Sequence, residues 1–205
     1  MATFDQRRKS TLQRSVSLVA LVLCLVTTQA LAAGWKVEQG VEVPSYAVVE
    51  PATTNLNIDS VVLACEEADG SKVLQLQIYL SNDGPLLPNG VAPDQLKGDP
   101  RAEISIDGRV FPVAILFAGE YAVLADGQRG MFPLLSERLL DAMQAGRTML
   151  MRFDLVAERP GKPAAFDGEA VIELRSAAGG AAVAALRRCA GPRTDRHVEA
   201  ALARY

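Results

Sequence analysis

Lys72-Val73-Leu74-Gln75-Leu76-Gln77-Ile78-Tyr79-Leu80 alternates apolar and polar residues from Leu74 onward. Leu74, Leu76, Ile78 and Leu80 share one face, and Gln75, Gln77 and Tyr79 share the other. Successive side chains of a strand point to opposite faces, so period two over this length predicts a half-buried β-strand. Its polar face could serve a binding surface, but such a face is more simply read as solvated. Immediately upstream, Ile58 to Glu66 carries Ile58, Val61, Val62 and Leu63, which reads as a largely buried strand ending near Cys65. Ala68-Asp69-Gly70-Ser71 supplies a turn between the two runs, and together they predict a hairpin.

Working outward, Trp35 to Glu38 predicts a short strand. Val41 to Glu50 predicts another, at an edge because Pro44 lacks an N–H for a ladder. Residues 51–57 read as a polar linker. Ser81 to Pro100, rich in Asn, Asp, Gly and Pro, reads as a long loop, a kind that tends to be functional or mobile. Arg101 to Ile106 and Arg109 to Phe117 flank Asp107-Gly108, the signature of a tight hairpin turn. Tyr121 to Ala125 and Gly130 to Pro133 suggest a further hairpin. Leu134 to Ala145 switches to helical period, with Leu135, Leu139, Leu140 and Met143 on one face. Arg147 to Glu158 is again a strand, ended by Arg159-Pro160-Gly161-Lys162-Pro163, and Phe166 to Arg175 is the last. Ser176 to about Arg188 predicts a final helix, weakened by Gly179 and Gly180, since each glycine costs about 1 kcal/mol in a helix. The sum is an antiparallel β-sandwich or open barrel with one mid-chain helix and one C-terminal helix.

The N-terminus has the pattern of a cleavable export signal. Arg7, Arg8, Lys9 and Arg14 precede an 11-residue apolar stretch, Val16 to Val26, and Ala30-Leu31-Ala32 matches a small-x-small cleavage site. A spanning helix needs about 20 apolar residues, so no stable membrane span is expected after cleavage. The expected plan is a signal over residues 1–32, one β-rich domain over 33–190, and a flexible tail over 191–205. Removing Arg7, Arg8, Lys9, Arg14 and Asp5 takes the chain from 21 Lys and Arg against 24 Asp and Glu to 17 against 23, a net charge of −6. With no basic patch, nucleic acid is not an expected partner. Of three cysteines, Cys24 leaves with the signal. Cys65 and Cys189 remain, an even pair that predicts one disulfide in a periplasmic or secreted chain.

The chemistry narrows by elimination. The single histidine, His197, lies in the tail, a poor place for a base that must be held between a nucleophile and an orienter. Histidine-based zinc sites are excluded by count. Glu66, Glu67 and Asp69 could act as an acid–base pair, but three acids beside a turn read more simply as a solvated hairpin end. Asp83, Asp94 and Asp99 have no calcium-loop spacing, and no phosphate-binding glycine motif is present. No catalytic set, metal or cofactor is expected. Leu86, Leu87, Val91 and Leu96, within the 81–100 loop, form a candidate binding loop: exposed they would make a contact patch, tucked in they would only pin it.

The closing portion includes Phe132-Pro133-Leu134, the helix to Ala145 and the strand Arg147 to Glu158. Ala170-Val171-Ile172-Glu173-Leu174 follows, leading to Ala184-Ala185-Leu186-Arg187-Arg188-Cys189. With the early Trp35, this plan resembles exported bacterial proteins of the invasion-associated locus B family. The chain departs from that family in having no cysteine soon after Trp35. The resemblance implies a periplasmic or envelope protein linked to host interaction, without established catalysis. The expected function is therefore a non-catalytic exported domain binding a protein or cell-envelope component. A carboxylate-based hydrolase and an inhibitor of a secreted enzyme are the alternatives.

Overall fold

A computed structural model describes residues 34–157, 165–175 and 179–191. The alternating stretch is strand β5 (Ser71–Leu80), antiparallel to β4 (Ile58–Ala68). Asp69 and Gly70 turn the chain between them with φ of 48° and 73°. Asp107 and Gly108 repeat the device at 48° and 87°, joining β6 (Leu96–Ile106) to β7 (Arg109–Phe117). Two positive φ angles match the right-handed twist of the flanking strands, and Asp-Gly supplies them at low steric cost.

Strand β2 (Tyr46–Val49) pairs with the far side of β4, and β1 (Lys36–Val37) pairs with β2. On the other side of β5 lies β8 (Tyr121–Ala125), followed by β7 and β6. Beyond β6 come β11 (Thr148–Val156), β12 (Gly168–Glu173) and β3 (Thr53–Thr54). Every pairing is antiparallel. β7 serves both wings of this sheet: Arg109 to Val113 pair with β6, while Ala114 to Phe117 pair with β8. The sheet therefore curls into a half-barrel around one core. Leu63, Leu74, Leu76 and Ile78 of the first wing meet Ile104, Phe111, Met151 and Phe153 of the second.

Two helices fill the concave side. In α1 (Glu137–Ala145), Ser136 caps the N-terminus by accepting from Leu139 N at 3.2 Å, and Leu139, Leu140 and Met143 face the core. In α2 (Gly179–Ala190), Ala182, Val183 and Leu186 do the same. The two glycines that weaken this helix locally are the points where backbones meet. A Cβ on Gly179 would stand 2.1 Å from the Leu174 carbonyl oxygen, and one on Gly180 would stand 2.7 Å from that of Gln144. Close approach thus compensates the local cost. Among the described residues, no helix is long and apolar enough to cross a membrane.

The structure differs from the sequence reading in three places. Residues 51–57 are not a plain linker, since Thr53 and Thr54 pair with Val171 and Ala170 at the sheet edge. The long loop is shorter than expected: a 3₁₀ turn, Pro93–Gln95, leads into β6 at Leu96. The hairpin expected between Tyr121 to Ala125 and Gly130 to Pro133 is replaced by two others. Both edges of β8 are occupied, by β5 and β7, so the following residues pair among themselves as β9 (Gly127–Arg129) and β10 (Phe132–Leu134). The export signal, the Arg159–Pro163 break, His197 and the tail beyond Gly191 lie outside the described residues.

Candidate functional site

The first wing has a core face and a second face that points away from the helices. Cross-strand register sets the second face in rows. Val48, Val62, Gln77, Val123 and Leu116 form one, and Ser60, Tyr79 and Tyr121 form another. Tyr46 stands opposite Ala64, which stands opposite Gln75. All three tyrosines among the described residues thus share one face.

This face is not the solvated surface that alternation predicts. Gln75 and Gln77 retain only 6% and 2% of their exposure. The β9–β10 hairpin folds over one end, where Leu134 and Phe132 pack on Ala68 and Val73. Gln75 Nε2 donates to the Pro133 carbonyl at 2.8 Å. The rest of the face stays open as a trough of about 400 Å³, lined by Tyr46, Val62, Ala64, Glu66, Gln77 and Tyr79 among others. That volume falls in the range of roughly 300–1,000 Å³ common to ligand sites.

Its polar atoms form a chain. Tyr79 Oη donates to Gln77 Oε1 at 3.3 Å. Gln77 Nε2 donates to Glu66 Oε1 at 3.0 Å and to Gln75 Oε1 at 3.3 Å. Buried amides satisfied in this way hold one arrangement. Tyr79 stacks on Tyr121 with ring centroids 5.3 Å apart. Burial first, then the charges near Tyr121, Glu66 and Glu120, push the Tyr79 phenol up from its ordinary pKa, so it remains a donor. At the Ser45 rim, Glu38 accepts from both the amide and the hydroxyl of Ser45 at 2.7 Å. Those bonds lower the Glu38 pKa and keep it anionic. No lysine or arginine is among the described residues lining the trough.

Sequence reasoning named Gln75, Gln77 and Tyr79 but missed Tyr46, Tyr121 and the burial. The available signal was parity: Tyr46-x-Val48, Val62-x-Ala64 and Tyr121-x-Val123 each place apolar or aromatic residues opposite the core-facing ones. One-strand periodicity does not show that such rows line up.

Of the candidate binding loop, Leu86 is 1% exposed and belongs to the core, Leu96 packs against that core, and Leu87 and Val91 are half-buried. The loop is also stitched down: Leu87 N donates to Asn57 Oδ1 at 2.8 Å, and Asn89 N to the Asn55 carbonyl at 2.7 Å. Between the two roles left open for it, Leu86 pins the loop. Leu86 and Leu96 also border a smaller apolar pocket of about 160 Å³ beside Phe117.

The remaining candidates separate. Glu66 lies on the trough face, the next residue of β4 points to the opposite face, and Asp69 is in the turn. Glu66 and Glu67 therefore do not face each other. Among the described residues, no group of three or more His, Cys, Asp or Glu could hold a metal ion. Cys65 and Cys189 do meet, in a disulfide with Cα atoms 6.3 Å apart that ties the end of α2 to β4.

Comparison with family models, curated proteins and solved structures finds no match to this chain, so the arrangement of its own residues carries the functional argument.

Proposed function

We propose that the chain is an exported, non-catalytic domain, periplasmic or secreted, that binds a protein or cell-envelope component through the tyrosine trough. The supporting observation is the uncovered part of the first wing's outer face. The hairpin covers one end of that face and leaves Tyr46, Tyr79, Val62 and Ala64 around a pre-formed depression. Tyr46 is 43% exposed and Leu116 41% exposed on the same face, where a solvated sheet would carry charge. Tyrosine suits such a surface, because it gives a large rigid contact and a polar tip. The export pattern, the disulfide and the resemblance to the invasion-associated locus B family support the same reading.

The test is a photo-crosslinking residue in place of Tyr46, with a control at Arg138 on α1, in cells that make the protein. The expected result is a discrete adduct from position 46 and none from position 138. Equal labelling from both, or none from either, overturns the trough as the binding surface. The inhibitor reading needs an exposed apolar tip on the 81–100 loop, and Leu86 is instead in the core. Deleting residues 84–97 would remove that core residue and the start of β6, so a deletion there reads folding rather than binding.

A further inference from the structure

Resting on the trough as the binding surface, we propose that its ligand is a basic, proline-containing peptide segment lying across the sheet in polyproline II conformation, with a cationic side chain at Glu66. Three observations select this chemistry. First, the trough lies on a sheet face, not an edge. β4 is paired on both sides, by β2 and β5, so its backbone has no free ladder to lend an incoming strand. The occupant must keep its own backbone hydrated. A polyproline II helix does so, because it makes no internal hydrogen bonds.

Second, the polar atoms of the floor are already engaged with one another. Gln77 and Gln75 bond to Tyr79, Glu66 and the Pro133 carbonyl. A saccharide, which needs many directed partners, would find few here. What remains open is the Tyr46 ring and part of Tyr79, with Ser45 and the Glu66 carboxylate beside them over a floor of Val62 and Ala64. Grooves lined by aromatic rings are the usual seat of proline-rich segments, whose rings pack without a large ordering cost.

Third, charge is one-sided. Glu66 lines the trough, Glu38 is held anionic against Ser45 at its rim, and no described lysine or arginine lines it. Lys36 at the strand edge is itself paired to Glu50 at 3.2 Å. A lysine or arginine of the ligand therefore gains a carboxylate without meeting a like charge.

The experiment uses the protein purified from cells and three fluorescent nonapeptides: Pro-Pro-Arg repeats, Pro-Pro-Glu repeats and Gly-Gly-Arg repeats, read by anisotropy. The expected order is Pro-Pro-Arg tightest, about tenfold over each control, with weakening in added salt. Glu66→Gln should cut affinity for Pro-Pro-Arg about fivefold and leave Pro-Pro-Glu unimproved or slightly tighter. Tyr46→Ala should cut it about tenfold. Both side chains are exposed enough for the fold to survive, which a thermal melt checks on the same samples. Equal binding of Gly-Gly-Arg overturns the polyproline geometry, and equal binding of Pro-Pro-Glu overturns the charge argument. If no peptide binds but Tyr46 still crosslinks in cells, the ligand class is wrong and the trough stands. If the crosslink is also missing, both fall.

Discussion

On the first wing the buried polar side chains are amides, Gln75 and Gln77; on the second the buried polar side chain is a carboxylate, Asp154. The amides lie among tyrosines and valines. Asp154 lies in a charge ladder: Lys97 Nζ is 2.5 Å from it, Arg101 bonds to it, and next along the face Arg152 pairs with Glu103 and covers the Phe166 ring at 4.9 Å. Both faces point away from the same core, and the sequence reading takes the first as a solvated strand face. The ladder engages both of its carboxylates internally, with the three cations Lys97, Arg101 and Arg152 around Asp154 and Glu103. The tyrosine face neutralises nothing and leaves contact area exposed. The difference lies in what a second molecule would gain by covering each face.

Breaking the ladder should cost most in stability. Asp154 has a side chain 2% exposed, so Asp154→Asn leaves Lys97 without its counter-charge in a largely buried place. Loss of a buried partner costs about 3–5 kcal/mol, readable by urea unfolding. A loss below about 1 kcal/mol would mean that the ladder is solvated and that the two faces do not differ in this way. Cys189→Ser tests the wing that carries the tyrosines. The bond closes a span of 124 residues, and the chain-entropy model puts the loss at about 4 kcal/mol or less after strain. An unchanged melt would show that α2 holds without it.

The pH limits of the two faces should be opposite. Burial pushes the Asp154 carboxyl up, but Lys97 and Arg101 outweigh it and hold its pKa below the ordinary aspartate range. Its contribution is therefore complete above about pH 4 and is lost as the pH falls through the folded-state value. Asp154→Asn should remove that part of the acid loss. Tyr79 has its pKa raised, so its contribution is complete below about pH 10 and fades as the pH rises through the folded-state value. Tyr79→Phe should cost about 1 kcal/mol at neutral pH, for the bond to Gln77, and flatten the alkaline limb in a melt series. Glu66→Gln is the smallest, within about 0.5 kcal/mol of wild type in stability, because an exposed carboxylate contributes little to folding. A large stability loss there would make Glu66 structural and weaken its assignment to a ligand.

Most of the scaffold was legible from local signals. The alternation in β5, the Asp-Gly turns and the helical period of α1 follow from short-range rules, and the meeting of Cys65 with Cys189 follows from cysteine count alone. What escaped was non-local. β3 is two residues that become a strand only because β12 passes beside them. The β9–β10 hairpin exists because β8 has no edge left. The site escaped for a related reason. Alternation states that β5 has two different faces, but only the overlying hairpin and the curl of the sheet decide that Gln77 is hidden while Tyr46 is exposed.

The bond between Cys65 and Cys189 also sets a clock. A chain is made from its N-terminus at about 5–20 residues per second. Cys65 emerges 124 residues ahead of its partner, so it waits roughly 6–25 s as a free thiol. Thr53 and Thr54 wait in the same way for Ala170 and Val171. The β3 edge of the sheet and the tie from β4 to α2 are thus completed only by residues made late, and any competing thiol has that interval in which to capture Cys65.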